Sequence, residues 1–231
     1  VKINILTGFP DFFSSPLQSS IIRQAQKKEL VSFKLLNLRD FSGEKYRSID
    51  DYPFGGGGGM VLKCAPVFAA FEALQAQSPA AEKPVVILPT PQGESLKPEL
   101  LRFFSMSPEI SILAGHYKGV DERIVDQWVT HEVSIGDYIV SSGEIAALVI
   151  IDAIVRLIPG VLGNYESAQS DSFEDGLLDC SYYTRPAEFR GLRVPEVLLS
   201  GDHEEIENHR LAEKIARTKN RRPDLYRQYA K

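Results

Sequence analysis

Short runs of β-branched and apolar residues alternate along the chain with stretches of helical length. Val1–Leu6, Val31–Leu36, Val85–Leu88 and Ile110–Ala114 concentrate Val, Ile and Leu in four to six residues each, the length and composition of buried strands. Between them, Pro66 opens a segment in which Phe68, Phe71 and Leu74 recur at helical spacing, and Asp121–Trp128 reads as a second short helix. Strands alternating with helices predict an α/β chain whose parallel sheet is covered by helices.

Glu144–Ile158 departs from amphipathic spacing. Ala146, Ala147, Leu148, Val149, Ile150, Ile151, Ala153, Ile154, Val155 and Leu157 leave almost no polar face, so this helix is expected to be buried on every side, against the sheet or at a subunit interface. Pro159 and Gly160 end it. Gly163–Ser181 is acidic and Ser-rich with no apolar period and reads as a linker. Beyond it Asp202–Lys219 and Pro223–Tyr229 read as helices, Asp202 placed as an N-cap and Pro223 in a first turn. The expected organisation is therefore a first domain over residues 1–162, a linker over 163–181 and a small helical domain over 182–231.

Composition adds charge to this picture. The chain has 231 residues, 43% hydrophobic and 25% charged, enough for a real core. No run is long and apolar enough to span a bilayer, and the N-terminus lacks the order of a signal peptide; a cytoplasmic protein that does not contact membranes is expected. Cys64 and Cys180 are far apart, which argues for buried thiols over a disulfide framework or zinc site. A net charge of −5 disfavours nucleic acid as a partner. The distribution of charge points the other way: from Asn208 onward eight basic residues face only Glu213 and Asp224. A basic tail on an acidic body suits either an RNA-contacting appendage or a solvated helix.

Four loops carry the candidate chemistry. Tyr52–Met60 contains five consecutive glycines, Gly55–Gly59, and is either a flexible loop or a backbone in close approach to another molecule. It matches neither the dinucleotide-binding glycine pattern nor a P-loop. Pro91-Gln92-Gly93, Gly115–Gly119, and Ser134–Tyr138 continuing to Ser142-Gly143-Glu144 offer glycines and open backbone groups with little acid–base machinery. Together they outline a nucleoside pocket at strand ends. Asp171 is a turn residue or a general base, and Arg156 a helix-dipole partner or an anion ligand. His203-Glu204-Glu205-Ile206-Glu207 lacks the second histidine of a zinc-protease helix, and no G-x-S-x-G elbow occurs.

Taken in order, these stretches resemble a known family. Arg47–Asp51 with the glycine run, Pro91–Gly93, Gly119–Arg123, Ser134–Tyr138, Ile158–Gly163, Asp171–Phe173, Gly176–Cys180, Tyr183–Pro186, Val197–Gly201 and Arg221–Pro223 are similar to the bacterial tRNA (guanine-N1)-methyltransferases of the SPOUT superfamily, which modify position 37, along the whole chain. The resemblance implies a deep trefoil knot in the first domain, S-adenosylmethionine as methyl donor, and a homodimer with its active site between subunits. It implies donor contacts from Pro91, Gly115, Tyr117, Gly119, Ser134, Ile135, Gly136, Asp137, Tyr138, Ile139, Val140 and Gly143. It makes Asp171 the general base and Arg156 the group facing the guanine oxygen. It assigns tRNA contacts to Gly59, Ser167, Arg185, Arg217, Arg221 and Arg222. Four positions depart from the family pattern: His116, Lys118, Ser142 and Ala146. Lys118 removes a carboxylate that could help place Mg2+, which leaves a magnesium requirement open. A SPOUT enzyme acting on ribosomal RNA or a 2′-hydroxyl, and a non-catalytic RNA-binding dimer, are the rival readings.

Overall fold

The computed structural model describes residues 1–77, 84–162 and 171–230. It divides into two compact units, Val1–Gly163 and Asn164–Lys231.

The first unit is built on five parallel strands in the order β2-β1-β6-β5-β7: β1 (Lys2–Thr7), β2 (Ser32–Asn37), β5 (Val85–Ser95), β6 (Glu109–Leu113) and β7 (His131–Ser134). Two-residue strands β3 (Asp50–Asp51) and β4 (Val61–Leu62) pair separately. The period of two along each strand sorts the core onto two faces. Ile3, Ile5, Ile87, Ile110 and Ile112 point to one cluster, which includes residues of α1 (Ser20–Lys27), α3 (Pro98–Met106) and α5 (Gly143–Val155). Leu6, Val86, Leu88 and Leu113 point to the other, which includes residues of α2 (Cys64–Gln77) and α4 (Glu122–Trp128). The expected α/β class with a covered parallel sheet is what forms.

Two elements differ from expectation for identifiable reasons. Strand β5 continues past Leu88 to Ser95, its pairing with β7 slipping register between Pro89 and Glu94. Two prolines and a glycine in that stretch hide a strand that carries a bulge. Helix α5 is not buried on every side. Ala146, Ala147, Ile150, Ile151, Ile154 and Val155 are buried, whereas Ile145 and Leu148 are half-buried, Val149 is 44% exposed and Asp152 is exposed. These open positions recur three and four residues apart and form one largely apolar stripe within the single chain.

In the second unit, Asp202 caps α6 (His203–Arg221) by accepting from the backbone N–H groups of Glu204 and Glu205 at 3.0 and 3.1 Å. Helix α7 (Pro223–Tyr229) follows directly. Strands β8 (Glu188–Phe189) and β9 (Leu192–Arg193) make a hairpin whose turn residues, Arg190 and Gly191, both have positive φ, as a two-residue turn of that twist requires. The first part of the expected linker lies outside the described residues. Its second part is not a linker: Leu177 and Cys180 are buried, the Leu178 N–H donates to Thr218 Oγ1 at 2.8 Å, and Arg217 donates to the Asp179 carbonyl at 2.7 Å. This segment is held by polar bonds to α6, which leave no periodic trace in the sequence.

Candidate active site

Strands β5, β6 and β7 lie together in the sheet, and one cavity of about 480 Å³ is bordered by the bulged stretch of β5, by the chain leaving β6, and by the end of β7 with the chain that follows it. That volume suits a nucleoside-sized ligand, and strand ends are where open α/β sheets place one. Its wall is made by Leu88–Gln92, by Gly115–Val120, and by Ser134–Gly136 with Tyr138–Gly143. Glu122, Val125, Glu132 and Ala146 complete it.

The loops are joined by their own main chains. The Gly143 N–H donates to the Gly115 carbonyl at 2.8 Å, so the start of α5 is tied to the loop after β6. A Cβ added at Gly143 would lie 2.3 Å from that carbonyl oxygen, so only glycine permits the contact. The Gly115–Gly119 loop is fixed again by Lys118 N–H to the Met60 carbonyl at 3.0 Å and Leu62 N–H to the Gly119 carbonyl at 3.1 Å. Between these anchors Tyr117 is held at φ 63°, a conformation that costs a residue with a side chain on the order of 1 kcal/mol or more. In the third loop Ser134 Oγ pairs with Gly136, and the Tyr138 hydroxyl donates to the Ile135 carbonyl at 3.3 Å.

Electrostatics around the cavity are set by a few pairs. Burial, with the Asp50 carboxylate alongside, pushes the Tyr117 hydroxyl above the usual phenol range, so it remains neutral. Asp121 opens α4 by accepting the Arg123 backbone N–H, and the same residue's guanidinium grips it at 2.8 and 2.7 Å. That grip holds its carboxyl well below the ordinary range. Among the described residues no three His, Cys, Asp or Glu side chains are placed to hold a metal ion.

Eleven of the twelve residues expected around a donor line this cavity; the twelfth, Asp137, is exposed and does not. Gly59 lies beside it, its backbone against the Lys118 stem: a Cβ there would sit 2.9 Å from Lys118 Cγ. Arg156 is not in the wall. It follows the last residue of α5, whose first residue, Gly143, is in the wall. Thirteen residues at about 1.5 Å each put roughly 20 Å between them. Asp171 begins a turn in the second unit, where the Glu174 N–H donates to its carbonyl at 3.3 Å. Arg185, Arg221 and Arg222 are exposed in that unit. Arg217 is engaged with Asp179, Ser181 and Glu213, and Ser167 lies outside the described residues.

The sequence of these loops is found elsewhere in the same order. The model of a family described as tRNA (Guanine-1)-methyltransferase TrmD matches residues 1–228. The chain belongs to this family. Relatives named tRNA (guanine-N(1)-)-methyltransferase support the assignment: one from Brevibacillus brevis is 51% identical over all of this chain and 93% of its own length. One from Anoxybacillus flavithermus is 49% identical over 99% of this chain and 93% of its own, and one from Bacillus cereus is 48% identical over 97% and 91%. A methyltransferase of this family needs a methyl donor.

Sequence reasoning missed Thr90, Glu132 and Ser141 in the wall. Glu132 sits on β7, whose four residues His-Glu-Val-Ser are too short to show a period. Glu144 falls in the sequence where the third loop meets the apolar helix, and no local pattern there marks it as completely buried.

Proposed function

We propose that this chain transfers a methyl group from S-adenosylmethionine to N1 of the guanosine at position 37 of tRNA, 3′ of the anticodon. One observation carries the reading: residues that the family resemblance assigns to a donor, scattered from Pro91 to Gly143, line one cavity. The cavity fits that donor in size and in its glycine-lined approach, with Gly115, Gly136 and Gly143 bringing backbone groups to the surface. Bound there, the donor supplies a methyl group on a positively charged sulfur.

The chain's own residues have two further tasks. Guanine N1 becomes nucleophilic when its proton leaves, and the charge then spreads to O6. Asp171 accepts that proton, a role worth on the order of 10² to 10⁴ in rate. Arg156 presents its guanidinium to O6 and stabilises the developing charge. Because Arg156 follows α5 about 20 Å from the cavity end of that helix, one chain does not bring Arg156 to its own cavity. A homodimer with shared sites supplies it from the second copy, and the open stripe of Ile145, Leu148 and Val149 on α5 is an apolar surface suited to such an interface. The deep trefoil knot of the SPOUT class belongs to this reading.

The exposed Arg185, Arg221 and Arg222 are proposed to meet tRNA phosphates, and Gly59 and Ser167 to contact the same RNA. Arg217 supports that surface through Asp179 and Glu213. Lys118 faces the cavity with Glu122 and Glu132, and no described cluster of three ligands accompanies them; no step is assigned to magnesium. No helix among the described residues is long and apolar enough to cross a membrane, which accords with work on tRNA in the cytoplasm. The test is methyl incorporation from labelled donor into two tRNA transcripts that differ only in guanosine or adenosine at position 37. Incorporation confined to the guanosine transcript is expected; equal incorporation, or transfer to ribosomal RNA alone, overturns the assignment.

A further inference from the structure

Glu144 is the one acidic side chain among the described residues that is completely buried, and it sits in the first turn of the most apolar helix of the chain. Burying a carboxyl group is costly unless its oxygens are matched. Both are matched by residues on other elements. Oε1 accepts from Thr7 Oγ1 at 2.7 Å, at the end of β1, and Oε2 meets His116 Nδ1 at 3.3 Å, in the cavity loop after β6. The network closes through Phe9: its backbone N–H donates to Thr7 Oγ1 at 2.9 Å, and its ring lies 4.6 Å from the His116 ring.

His116 is thus held from two sides, by a carboxyl group and by an aromatic face, and it lines the cavity. It immediately precedes Tyr117, whose φ of 63° is unfavourable for a residue with a side chain. The Gly119 N–H closes the loop onto the His116 carbonyl at 3.1 Å. A loop kept in a sparsely populated conformation relaxes unless its surroundings over-determine it. An apolar residue at 144 alone would leave the buried Thr7 hydroxyl without its acceptor, so the network supports the core as well as the loop.

We infer that Glu144 is a positioning residue of the cavity: acting through His116, it holds the Gly115–Gly119 loop in the shape that receives the ligand. The inference rests on the reading of this cavity as the donor site. Rigid support behind a binding loop lowers the ordering cost of binding and leaves the ligand contacts themselves unchanged.

The test is calorimetric titration of S-adenosylmethionine into wild type, Glu144→Leu, Glu144→Gln, His116→Ala and the Glu144→Leu/His116→Ala double variant, with a thermal melt of each. Glu144→Leu is expected to weaken donor binding on the order of tenfold and to melt below wild type, because the buried Thr7 hydroxyl loses its acceptor. Glu144→Gln, whose amide can still accept from Thr7 and donate to His116, should recover affinity to within about threefold of wild type. The double variant should be no weaker than the worse single variant, since the two groups act as one unit. Should Glu144→Leu fail to fold, Glu144→Met with and without His116→Ala gives the coupling, since a thioether cannot pair with both Thr7 and His116. Losses that multiply in the double variant, or a Leu variant that binds like wild type, overturn the positioning role. Absence of donor binding in wild type itself overturns the donor assignment of the cavity instead.

Discussion

Gly143→Ala is the smallest change that should dismantle the cavity. The added Cβ would lie 2.3 Å from the Gly115 carbonyl oxygen, 2.6 Å from its nitrogen and 3.1 Å from the Ala114 carbonyl carbon. Ordinary contact begins at 3.4 Å, so two backbone segments must part by about 1 Å, and no flexible side chain is there to give way. Parting breaks the 2.8 Å bond from the Gly143 N–H to that carbonyl, a net loss of about 0.5–1.5 kcal/mol. Crowding adds about 1–3 kcal/mol. Alanine's better helix propensity at the start of α5 returns up to about 1 kcal/mol. The balance is a destabilisation of about 0.5–4.5 kcal/mol, or roughly 1–18 °C in melting temperature for a chain of this size. Gly115→Ala is the internal comparison, because a Cβ there meets nothing nearer than 3.8 Å. Differential scanning calorimetry with donor titration separates the two: Gly143→Ala should lose stability and at least about tenfold in donor affinity, whereas Gly115→Ala should melt within about 2 °C of wild type. A Gly143→Ala protein with wild-type melting and wild-type affinity would refute the close approach on which the cavity depends.

Three further outcomes follow from the same arrangement. Asp171→Asn should lower the single-turnover methyl-transfer rate by about 10² or more with donor affinity nearly unchanged; a near-normal rate removes Asp171 as the base. Arg221→Ala with Arg222→Ala should weaken tRNA binding and flatten its salt dependence by about 0.7–0.9 in log–log slope per lost phosphate contact, and an unchanged slope means that this surface does not meet RNA. A purified heterodimer of one Asp171→Ala subunit and one Gly143→Trp subunit should regain up to about half of wild-type activity if sites are shared between chains, and a heterodimer as inactive as its parents contradicts sharing.

What the sequence revealed, and what it hid, divides along physical lines. Isoleucine-rich β1 and β6 and the helix Glu122–Trp128 with its Asp121 cap were legible because hydrophobic burial and capping leave periodic or local marks. The second half of β5 was not, because Pro89, Pro91 and Gly93 mark a bulge and a bulge erases alternation. The donor-loop residues could be named from the resemblance to a known family. That Gly143 abuts Gly115 could not, since it is a contact between backbones 28 residues apart. Helix α5 shows the limit of composition: apolar content announced burial, but the open stripe at Ile145, Leu148 and Val149 appears only once the sheet has claimed the other faces. The segment Gly176–Ser181 looked like linker because its anchors, Thr218, Glu213 and Arg217, are polar and distant in sequence.

Methyl transfer to N1 of one guanosine can be read directly by mass-spectrometric mapping of a tRNA with guanosine at position 37 after incubation with the protein and S-adenosylmethionine. A single added methyl group is expected on the oligonucleotide containing position 37, released on digestion as 1-methylguanosine. A methyl group on a ribose 2′-hydroxyl, on another base, or on no nucleotide despite saturating donor would contradict the assignment.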